Sequence, residues 1–183
     1  MFTGKQLALM RPGDEPDNRE GCVEPVRERN WAMPNKIRVL AIASGGGHWV
    51  QLLRLRNAFD GCEVTYATVR SSYIADVPGE RFITVPDATR WDRLRLLWMG
   101  VRVVWVVFTR KPDIVVSTGA APGYVAIRVG KILGSRTIWI DSIANVERLS
   151  LSGRKIGRYA DLWLTQWPHL AEPSGPLFKG AVL

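Results

Sequence analysis

The stretch "IRVLAIASGGGHWVQLLRL", residues 37–55, contains the pattern that decides the fold. Its first seven residues are apolar except for Arg38, as is typical of a strand buried in a parallel sheet. Glycines end that run, and apolar residues at helical spacing follow it. The stretch therefore predicts a strand, a tight loop and a helix, the opening of a βαβ unit.

The rest of the chain continues this alternation. Further strand-like runs, most of them rich in Val, Ile, Thr and Trp, lie at 62–68, 82–85, 113–118, 137–141 and 161–166. Helical patterns lie between the runs, at about 48–59, 91–110, 122–134 and 153–160. The alternation predicts an α/β fold with a Rossmann-like, mostly parallel sheet and helices on both faces. Because ligands of such sheets bind at the carboxyl ends of the strands, we expect the functional site there.

The charge of the chain is unevenly distributed. Residues 1–35 hold five basic and six acidic residues, whereas residues 36–183 hold twenty basic and eleven acidic ones, within a total net charge of +8. The basic part favours an anionic partner such as a phosphate, a nucleic acid or an acidic membrane surface, although it also serves solubility. No recognised nucleic-acid-binding motif is present, so we do not expect a nucleic-acid partner.

Composition also suggests the domain organisation. Residues 1–35 are polar and rich in proline and charge, which predicts a disordered extension before a single domain over 36–183. The extension lacks the apolar core of a signal peptide, and Met33 is an alternative start of the chain. No uncharged apolar run reaches 18 residues, so we expect no spanning helix.

Metal sites and disulfides are not expected. Cys22 and Cys62 belong to no CxxC pair, and the chain has only two histidines, His48 and His169. These numbers predict free thiols, no zinc site and no disulfide framework.

The loop "SGGG" is a candidate phosphate site, formed by Ser44, Gly45, Gly46 and Gly47. A loop between a strand and a helix presents unpaired backbone N–H groups at the positive end of the helix, and glycine lets a phosphate come close. Val50 stands where the dinucleotide fingerprint requires a third glycine, which disfavours a nicotinamide cofactor. The alternative is a tight turn without a ligand.

Other polar residues near the predicted strand ends are candidates for the same site. His48 opens the predicted helix and could donate to a phosphate, act as a base, or only cap the helix. In "VPDATRW", Asp87 is a candidate base or a turn residue, and Arg90 is a candidate phosphate ligand or a surface charge.

The segment "WDRLRLLWMGVRVVWVVFTRK" predicts a helix with an unusual surface. Trp91, Trp98 and Trp105 are seven residues apart and share a face, with Arg95 and Arg102 beside them. Nearly all the remaining circumference is apolar. Either the sheet covers the whole apolar arc, or the surplus surface meets a membrane interface or another chain.

Two C-terminal stretches, "KPDIVVSTGAAPGYVA" (111–126) and "IWIDSIANVERLSLSGRKIGRYADLWLTQWPHL" (138–170), carry a family resemblance. Together with the glycine loop they resemble the membrane-recruiting, acceptor-side subunit of the two-chain N-acetylglucosaminyltransferase of dolichol-linked oligosaccharide synthesis, and its bacterial exopolysaccharide relatives. The resemblance covers residues 37–183.

The resemblance implies the N-terminal half of a GT-B glycosyltransferase. Such a half faces the lipid acceptor, while a separate chain binds most of the UDP-sugar, which is a co-substrate and not a cofactor. The implied reaction moves N-acetylglucosamine or another hexose derivative onto a polyprenyl-diphosphate-linked glycan. The protein is then expected to be peripheral, on the cytoplasmic face of the membrane, and to be inactive alone. The alternative is a non-catalytic recruiter of a catalytic chain.

The resemblance also implies roles for individual residues. The "SGGG" loop would hold the acceptor diphosphate, with a donor phosphate as second choice. Matches to family motifs place further residues at the cleft: Gly119, Pro122, Gly123, Tyr124, Asp141, Ser142 and Asn145. Asp141 joins His48 and Asp87 as a candidate base, although many relatives have Glu there, and Arg at the position of Asn145. Gln166, Trp167 and Pro168 match a closing motif with a structural or partner-contacting role.

Overall fold

The structure, a computed structural model, describes residues 36–88 and 91–182. Its strands are β1 (Arg38–Ile42), β2 (Glu63–Thr68), β3 (Arg81–Thr84), β4 (Ile114–Ser117), β5 (Arg136–Ile140), β6 (Leu162–Thr165) and β7 (Leu177–Phe178). Its α-helices are α1 (Gly47–Arg54), α2 (Arg93–Arg110), α3 (Ala120–Ile132) and α4 (Leu151–Ile156). Short 3₁₀ helices are Arg56–Phe59, Ser71–Asp76 and Pro168–Leu170. The predicted alternation is confirmed, and the prediction for residues 1–35 lies outside the described residues.

The strands form one seven-stranded sheet in the order β3-β2-β1-β4-β5-β6-β7. Each of the six neighbouring pairs is parallel. The chain starts in the middle at β1, moves outward to β3, crosses back to β4 and continues to β7. This topology confirms the predicted Rossmann-like sheet, and only the two-residue β7 was too short to leave a pattern in the sequence.

Both faces of the sheet are covered, which explains the continuous apolar strands. On one face, Leu40 and Ile42 of β1 pack into a core with α2, α3 and α4. On the other face, Val39 and Ala41 pack with Trp49 of α1. Successive side chains of a strand point to opposite faces, so every residue of this central strand except Arg38 is buried.

An ion pair joins β1 and β4 at the amino-terminal edge of the sheet. The backbone N–H of Arg38 donates to Asp113 (2.9 Å), and its guanidinium donates to the same carboxylate (2.8 Å). These hydrogen bonds lower the pKa of Asp113 below its usual value despite partial desolvation. The pair helps to hold the two central strands side by side, so that their other ends meet.

Helix α2 is the longest of the described helices. The Asp92 carboxylate accepts from the backbone N–H of Arg95 (3.0 Å) and caps its start, and Lys111 ends it in the left-handed region with φ 45°. One side of the helix is buried in the core through Met99, Val103, Val106 and Val107. Within the described residues, no helix combines the length and the apolar character needed to span a bilayer.

Candidate functional site

The candidate site lies where β1 and β4 end side by side in the middle of the sheet. From these two strands the chain continues in opposite directions, to β2 on one side and to β5 on the other. Loops that leave in opposite directions open a crevice between them, and this is where ligands of parallel sheets bind. The glycine loop after β1 and the Thr118–Gly119 loop after β4 line this crevice.

The glycine loop is open to solvent at its tip. Gly46 and Gly47 are exposed, and Gly46 has φ 66°, a backbone conformation that favours glycine. The carbonyl of Gly46 accepts from the N–H groups of Trp49 (3.1 Å) and Val50 (3.2 Å). Among the described residues, no acceptor is recorded for the N–H groups of Gly47 and His48. Two donors in the first turn of α1 are therefore available for an anion.

His48 connects the two loops of the crevice. Its Nδ1 donates to the carbonyl oxygen of Thr118 (2.8 Å), and the Thr118 hydroxyl donates back to the carbonyl of His48 (2.6 Å). A neutral imidazole that donates through Nδ1 keeps its lone pair on Nε2. Within the part of the chain that the structure describes, Nε2 has no recorded hydrogen-bond partner. The geometry leaves this nitrogen free to meet a ligand, whether as a base or, when protonated, as a donor.

The second loop is shaped around His48. Gly119 has φ 136°, and a Cβ there would lie 2.6 Å from Cε1 of His48, so the close approach of the two loops requires glycine. Gly123 is buried, and a Cβ there would lie 1.8 Å from the hydroxyl of Ser117. Its glycine is therefore explained by helix packing, whereas Gly119 lies at the crevice. Tyr124 is half-buried against the core, with the Arg128 guanidinium 5.8 Å from its ring centre.

Asp141 is buried, and its carboxylate is fully engaged. Oδ1 accepts from the hydroxyl of Ser150 (2.6 Å) and the indole N–H of Trp139 (3.3 Å). Oδ2 accepts from the backbone N–H of Ser150 (2.9 Å) and the side-chain amide of Asn145 (3.1 Å). A general base needs an oxygen within reach of the substrate. These contacts instead assign Asp141 to holding the loop between β5 and α4.

Neighbouring residues that match the family motifs also form hydrogen bonds in or to this loop. The amide of Asn145 donates to Asp141, and the hydroxyl oxygen of the buried Ser142 accepts from the N–H of Ala144 (3.3 Å). Gln166 is buried; its amide donates to the carbonyl of Asp141 (2.9 Å) and accepts from the N–H of Val182 (2.8 Å). These side chains stabilise the loop from inside, and contact with an acceptor stays a prediction for Ser142 and Asn145.

The closing motif also contacts this loop. The indole N–H of Trp167 donates to the carbonyl of Ile143 (2.8 Å), while Pro168 is exposed. The interaction supports a structural role for Trp167, and a contact of Trp167 with a partner chain stays a prediction.

Asp87, whose role as a base stays a prediction, lies after an outer strand of the sheet. It is exposed and follows β3, the outermost strand on its side, two strands away from β1. Neighbouring strands are about 4.8 Å apart, so the strand ends are separated by roughly 10 Å. Arg90 lies outside the described residues, and its role as a phosphate ligand stays a prediction.

Two residues that the sequence patterns did not single out as site residues lie against the glycine loop. Arg70 follows β2, and a Cβ at Gly45 would lie 3.3 Å from its Nε. The hydroxyl of Tyr73 accepts from the N–H of Gly46 (3.1 Å). The available signal was their place after a strand that neighbours β1, but sequence alone does not show that their side chains turn towards the loop.

The outer side of α2 is uncovered. Trp98 and Trp105 of the helix have exposed fractions of 61% and 50%. Trp91 has an exposed fraction of 80%, but it lies two residues before the helix begins at Arg93, so the predicted helix over 91–110 starts later than expected. Other exposed apolar side chains of the helix are Leu94, Leu97, Val101, Val104 and Phe108. The interpretation in which the sheet covers the whole apolar arc is therefore wrong, and a large apolar surface is left on this side. We call this surface, with Arg95 and Arg102, the α2 face.

The two arginines of the α2 face have different partners. Arg102 lies over the ring of Trp105, with 4.5 Å between the guanidinium carbon and the ring centre. Arg95 pairs with Asp92 (3.1 Å), the helix cap.

As for metals, the described ranges contain no group of three or more His, Cys, Asp or Glu side chains placed to hold an ion.

The chain is similar to a known family in sequence. The family described as "Oligosaccharide biosynthesis protein Alg14 like" matches residues 84–176. The UDP-N-acetylglucosamine transferase subunit alg14 of Schizosaccharomyces pombe is 26% identical over 172 residues, covering 75% of this chain and 79% of that protein. The subunit ALG14 of Homo sapiens is 26% identical over 171 residues, covering 74% of this chain and 78% of that protein.

Solved structures share the fold at low sequence identity. MurG of Acinetobacter baumannii superposes with a TM-score of 0.64 at 14% identity, over 78% of this chain and 45% of MurG. The UDP-N-acetylglucosamine 2-epimerase of Rickettsia bellii gives a TM-score of 0.58 at 16% identity, over 81% of this chain and 46% of the epimerase. The chain thus has the fold of one Rossmann-like half of a GT-B protein and spans less than half of either structure.

Proposed function

Because the chain belongs to the family of Alg14-like oligosaccharide biosynthesis proteins, we propose that it is the acceptor-side subunit of a two-component glycosyltransferase. The complex transfers N-acetylglucosamine from its UDP-sugar to a polyprenyl-diphosphate-linked glycan. A separate chain binds most of the donor, and this chain supplies the acceptor site and the membrane contact.

The proposal rests on how much of each relative this chain covers. The chain covers 79% and 78% of two proteins named as transferase subunits, but only 45% of MurG. A nucleotide sugar in a GT-B enzyme is held between two halves, and the present fold corresponds to one. Its crevice therefore requires a second surface, which the proposed partner chain supplies.

The residues of the crevice suit a diphosphate acceptor. The N–H groups of Gly47 and His48 belong to the first turn of α1, where the helix dipole favours an anion. Sugar transfer also requires the acceptor oxygen to lose a proton as the nucleotide diphosphate leaves. Nε2 belongs to the same residue as one of these donors. We propose first that it binds the acceptor phosphate, and second that it accepts the proton of the acceptor oxygen.

The α2 face is the proposed membrane contact. It combines exposed tryptophans with basic residues, and no acidic residue occurs from Arg93 to Lys111, although Asp92 before the helix pairs with Arg95. Tryptophan favours the headgroup level and arginine reaches anionic phosphates, so the charge and the apolar surface fit the same partner. We propose a peripheral position on the cytoplasmic face of an anionic membrane, where a lipid-linked acceptor is accessible.

A second candidate function is recruitment alone, in which the partner chain holds all the chemistry. It is favoured by the engagement of Asp141 within its own loop, which removes one of the three candidate bases. Variants of His48 separate the two functions, because a pure recruiter tolerates them as long as the complex and its membrane binding stay intact.

The test is reconstitution. We expect the purified chain to transfer no sugar alone, and to support transfer from UDP-N-acetylglucosamine to a short polyprenyl-diphosphate-linked N-acetylglucosamine once the UDP-sugar-binding chain from the same source is added. Radiolabel incorporation into the lipid fraction measures the reaction. Transfer by the isolated chain would contradict the proposal, as would a stable complex that transfers nothing with any UDP-sugar.

A further inference from the structure

We propose that Arg70 is a further binding residue of this site and supplies the positive charge that holds a diphosphate on the glycine loop. The inference rests on the proposed function, because that function makes a diphosphate the ligand. It depends on one juxtaposition: the segment after β2 folds back so that Arg70 lies against Gly45 and Tyr73 bonds Gly46.

Arg70 is an exposed side chain held at the loop. A Cβ at Gly45 would lie 3.3 Å from Nε and 3.6 Å from Cδ of Arg70, so the stem of the arginine runs along the bare glycine backbone. A Cβ at Gly45 would therefore require the arginine side chain to shift. No carboxylate within the described part of the chain is recorded in an ion pair with Arg70. Its guanidinium therefore lies next to the loop with its charge uncompensated by a salt bridge.

Tyr73 fixes the segment that carries Arg70. Its ring stacks on Trp49, with 5.3 Å between ring centres and 4° between the planes, and its hydroxyl accepts from Gly46 N–H (3.1 Å). The buried indole of Trp49 in turn donates to Asp76 (2.8 Å), at the end of the same 3₁₀ helix. The segment is thus attached to α1 at two points. A hydroxyl that accepts from Gly46 can direct its own proton outward, towards an anion on the loop.

The loop needs such a charge because its own donors are neutral. A diphosphate carries negative charge on both phosphorus centres, whereas Gly47 and His48 contribute N–H dipoles. Hydrogen bonds between ionised groups are about twice as strong as neutral ones, and the planar guanidinium matches phosphate oxygens in pairs. Arg70 is a cation that the structure places against the loop, so it supplies charge to the binding.

The variants isolate the charge. Arg70→Gln keeps a polar, hydrogen-bonding side chain without the charge. Arg70→Lys keeps the charge without the planar guanidinium group. Arg56→Gln is the matched control: Arg56 is also exposed, but it lies after α1, towards the opposite edge of the sheet. Because Arg70 and Arg56 are exposed, we expect all three variants to fold, and circular dichroism checks this.

The first measurement is calorimetric titration of the full chain with farnesyl diphosphate and, separately, with UDP. We expect Arg70→Gln to weaken farnesyl diphosphate binding by about tenfold or more, Arg70→Lys to stay within about threefold, and Arg56→Gln to match the wild type. The difference between wild type and Arg70→Gln should shrink at about 1 M salt, where charges are screened within about 3 Å. A purely structural role would not show this salt dependence.

The outcomes decide the inference. Loss of farnesyl diphosphate affinity supports Arg70 as an acceptor ligand, and the same loss for UDP alone supports it as a donor-phosphate ligand. Equal binding by wild type and Arg70→Gln overturns it, as does an equal loss in Arg56→Gln or no diphosphate binding by the wild type.

Steady-state kinetics of the reconstituted complex separate this inference from the proposed function. We expect Arg70→Gln to raise the KM for the lipid acceptor about tenfold, with kcat changed less than about threefold. A complex without transferase activity contradicts the proposed function but leaves the binding titrations as the test of Arg70. An active complex that is indifferent to Arg70→Gln contradicts only the inference.

Discussion

His48 is the residue that joins the loop after β1 to the loop after β4 across the crevice. Its ring packs on Gly119 and its Nδ1 donates to the Thr118 carbonyl, so its orientation is fixed by the loop after β4. A histidine with one nitrogen fixed in this way offers the other to a ligand in a defined direction. The residue therefore joins a structural contact to a functional one.

We expect His48→Gln to raise the KM for the lipid acceptor by about tenfold in the reconstituted complex, because one hydrogen bond to a charged group is lost. The matched control is His169→Gln, the same change at the other histidine, which should have no such effect. A fall in kcat of about a hundredfold or more would identify His48 as the base, and unchanged kinetics would contradict a role for it.

Asp141 illustrates how burial decides the role of a carboxylate. An asparagine at this place keeps the shape but replaces one accepting oxygen by a donor, which would face the donors from Ser150, Asn145 and Trp139. Buried donors without acceptors are costly.

We therefore expect Asp141→Asn to lower the free energy of unfolding by about 2–4 kcal/mol and the Tm by roughly 5–15 °C. The control is Asp87→Asn, the same change at an exposed carboxylate, which should stay within about 0.5 kcal/mol. Thermal unfolding measures both. An unchanged Tm with lost kcat would show that Asp141 acts on the substrate.

Among the elements, α2 differs most from an ordinary helix of a parallel sheet. Its inner side packs in the core while its outer side exposes Trp98, Trp105 and several aliphatic side chains, next to the exposed Trp91 that precedes the helix. Single exposed apolar residues are common, but a contiguous apolar surface marks an interaction site. The neighbouring arginines select an anionic membrane as the proposed partner.

We expect the double variant Arg95→Glu/Arg102→Glu to bind anionic liposomes at least roughly tenfold more weakly than the wild type, since each basic residue near such a surface contributes about 1 kcal/mol. This effect should shrink at high salt. Trp98→Ala should weaken binding in a way that salt hardly changes. Co-sedimentation measures all of these.

The control for the liposome experiment is Arg56→Glu/Lys179→Glu, which has the same change in net charge at two exposed residues outside α2. Circular dichroism must show that every variant is folded. Unchanged binding of folded α2 variants, or an equal loss in the control, would contradict the membrane proposal. The α2 face would then be expected to bind the partner chain instead.

At the scale of the whole molecule, stability depends on pH through a buried phenol. Tyr66 lies in the core beside Trp49, and burial, with a smaller contribution from Glu80, raises its pKa to about 12. Above pH 10 the unfolded chain loses this proton while the folded chain keeps it, so unfolding becomes more favourable as pH rises.

We expect the free energy of unfolding to fall between about pH 10 and pH 12, by an amount on the order of 2 kcal/mol for this residue. Tyr66→Phe should remove that part of the decline. Urea unfolding of both proteins at successive pH values measures it. An equally steep decline in Tyr66→Phe would assign the effect to other groups.

The sequence alone determined the alternating fold and the position of the crevice. Buried parallel strands need continuous apolar runs, and β1, β4, β5 and β6 each carry one. The glycines between β1 and α1 are equally visible, because the backbone conformation of Gly46 leaves few other residues possible. These features are local, so a short window of sequence contains their cause.

Only the tertiary structure decided which side chains serve the crevice. Asp141 turns inward because Ser150, nine residues later, meets it, and Arg70 reaches the glycine loop from a different strand. The uncovered outer side of α2 likewise depends on what the rest of the chain leaves unpacked. The direction of a side chain is set by contacts between residues distant in sequence, and neither periodicity nor motif spacing contains that information.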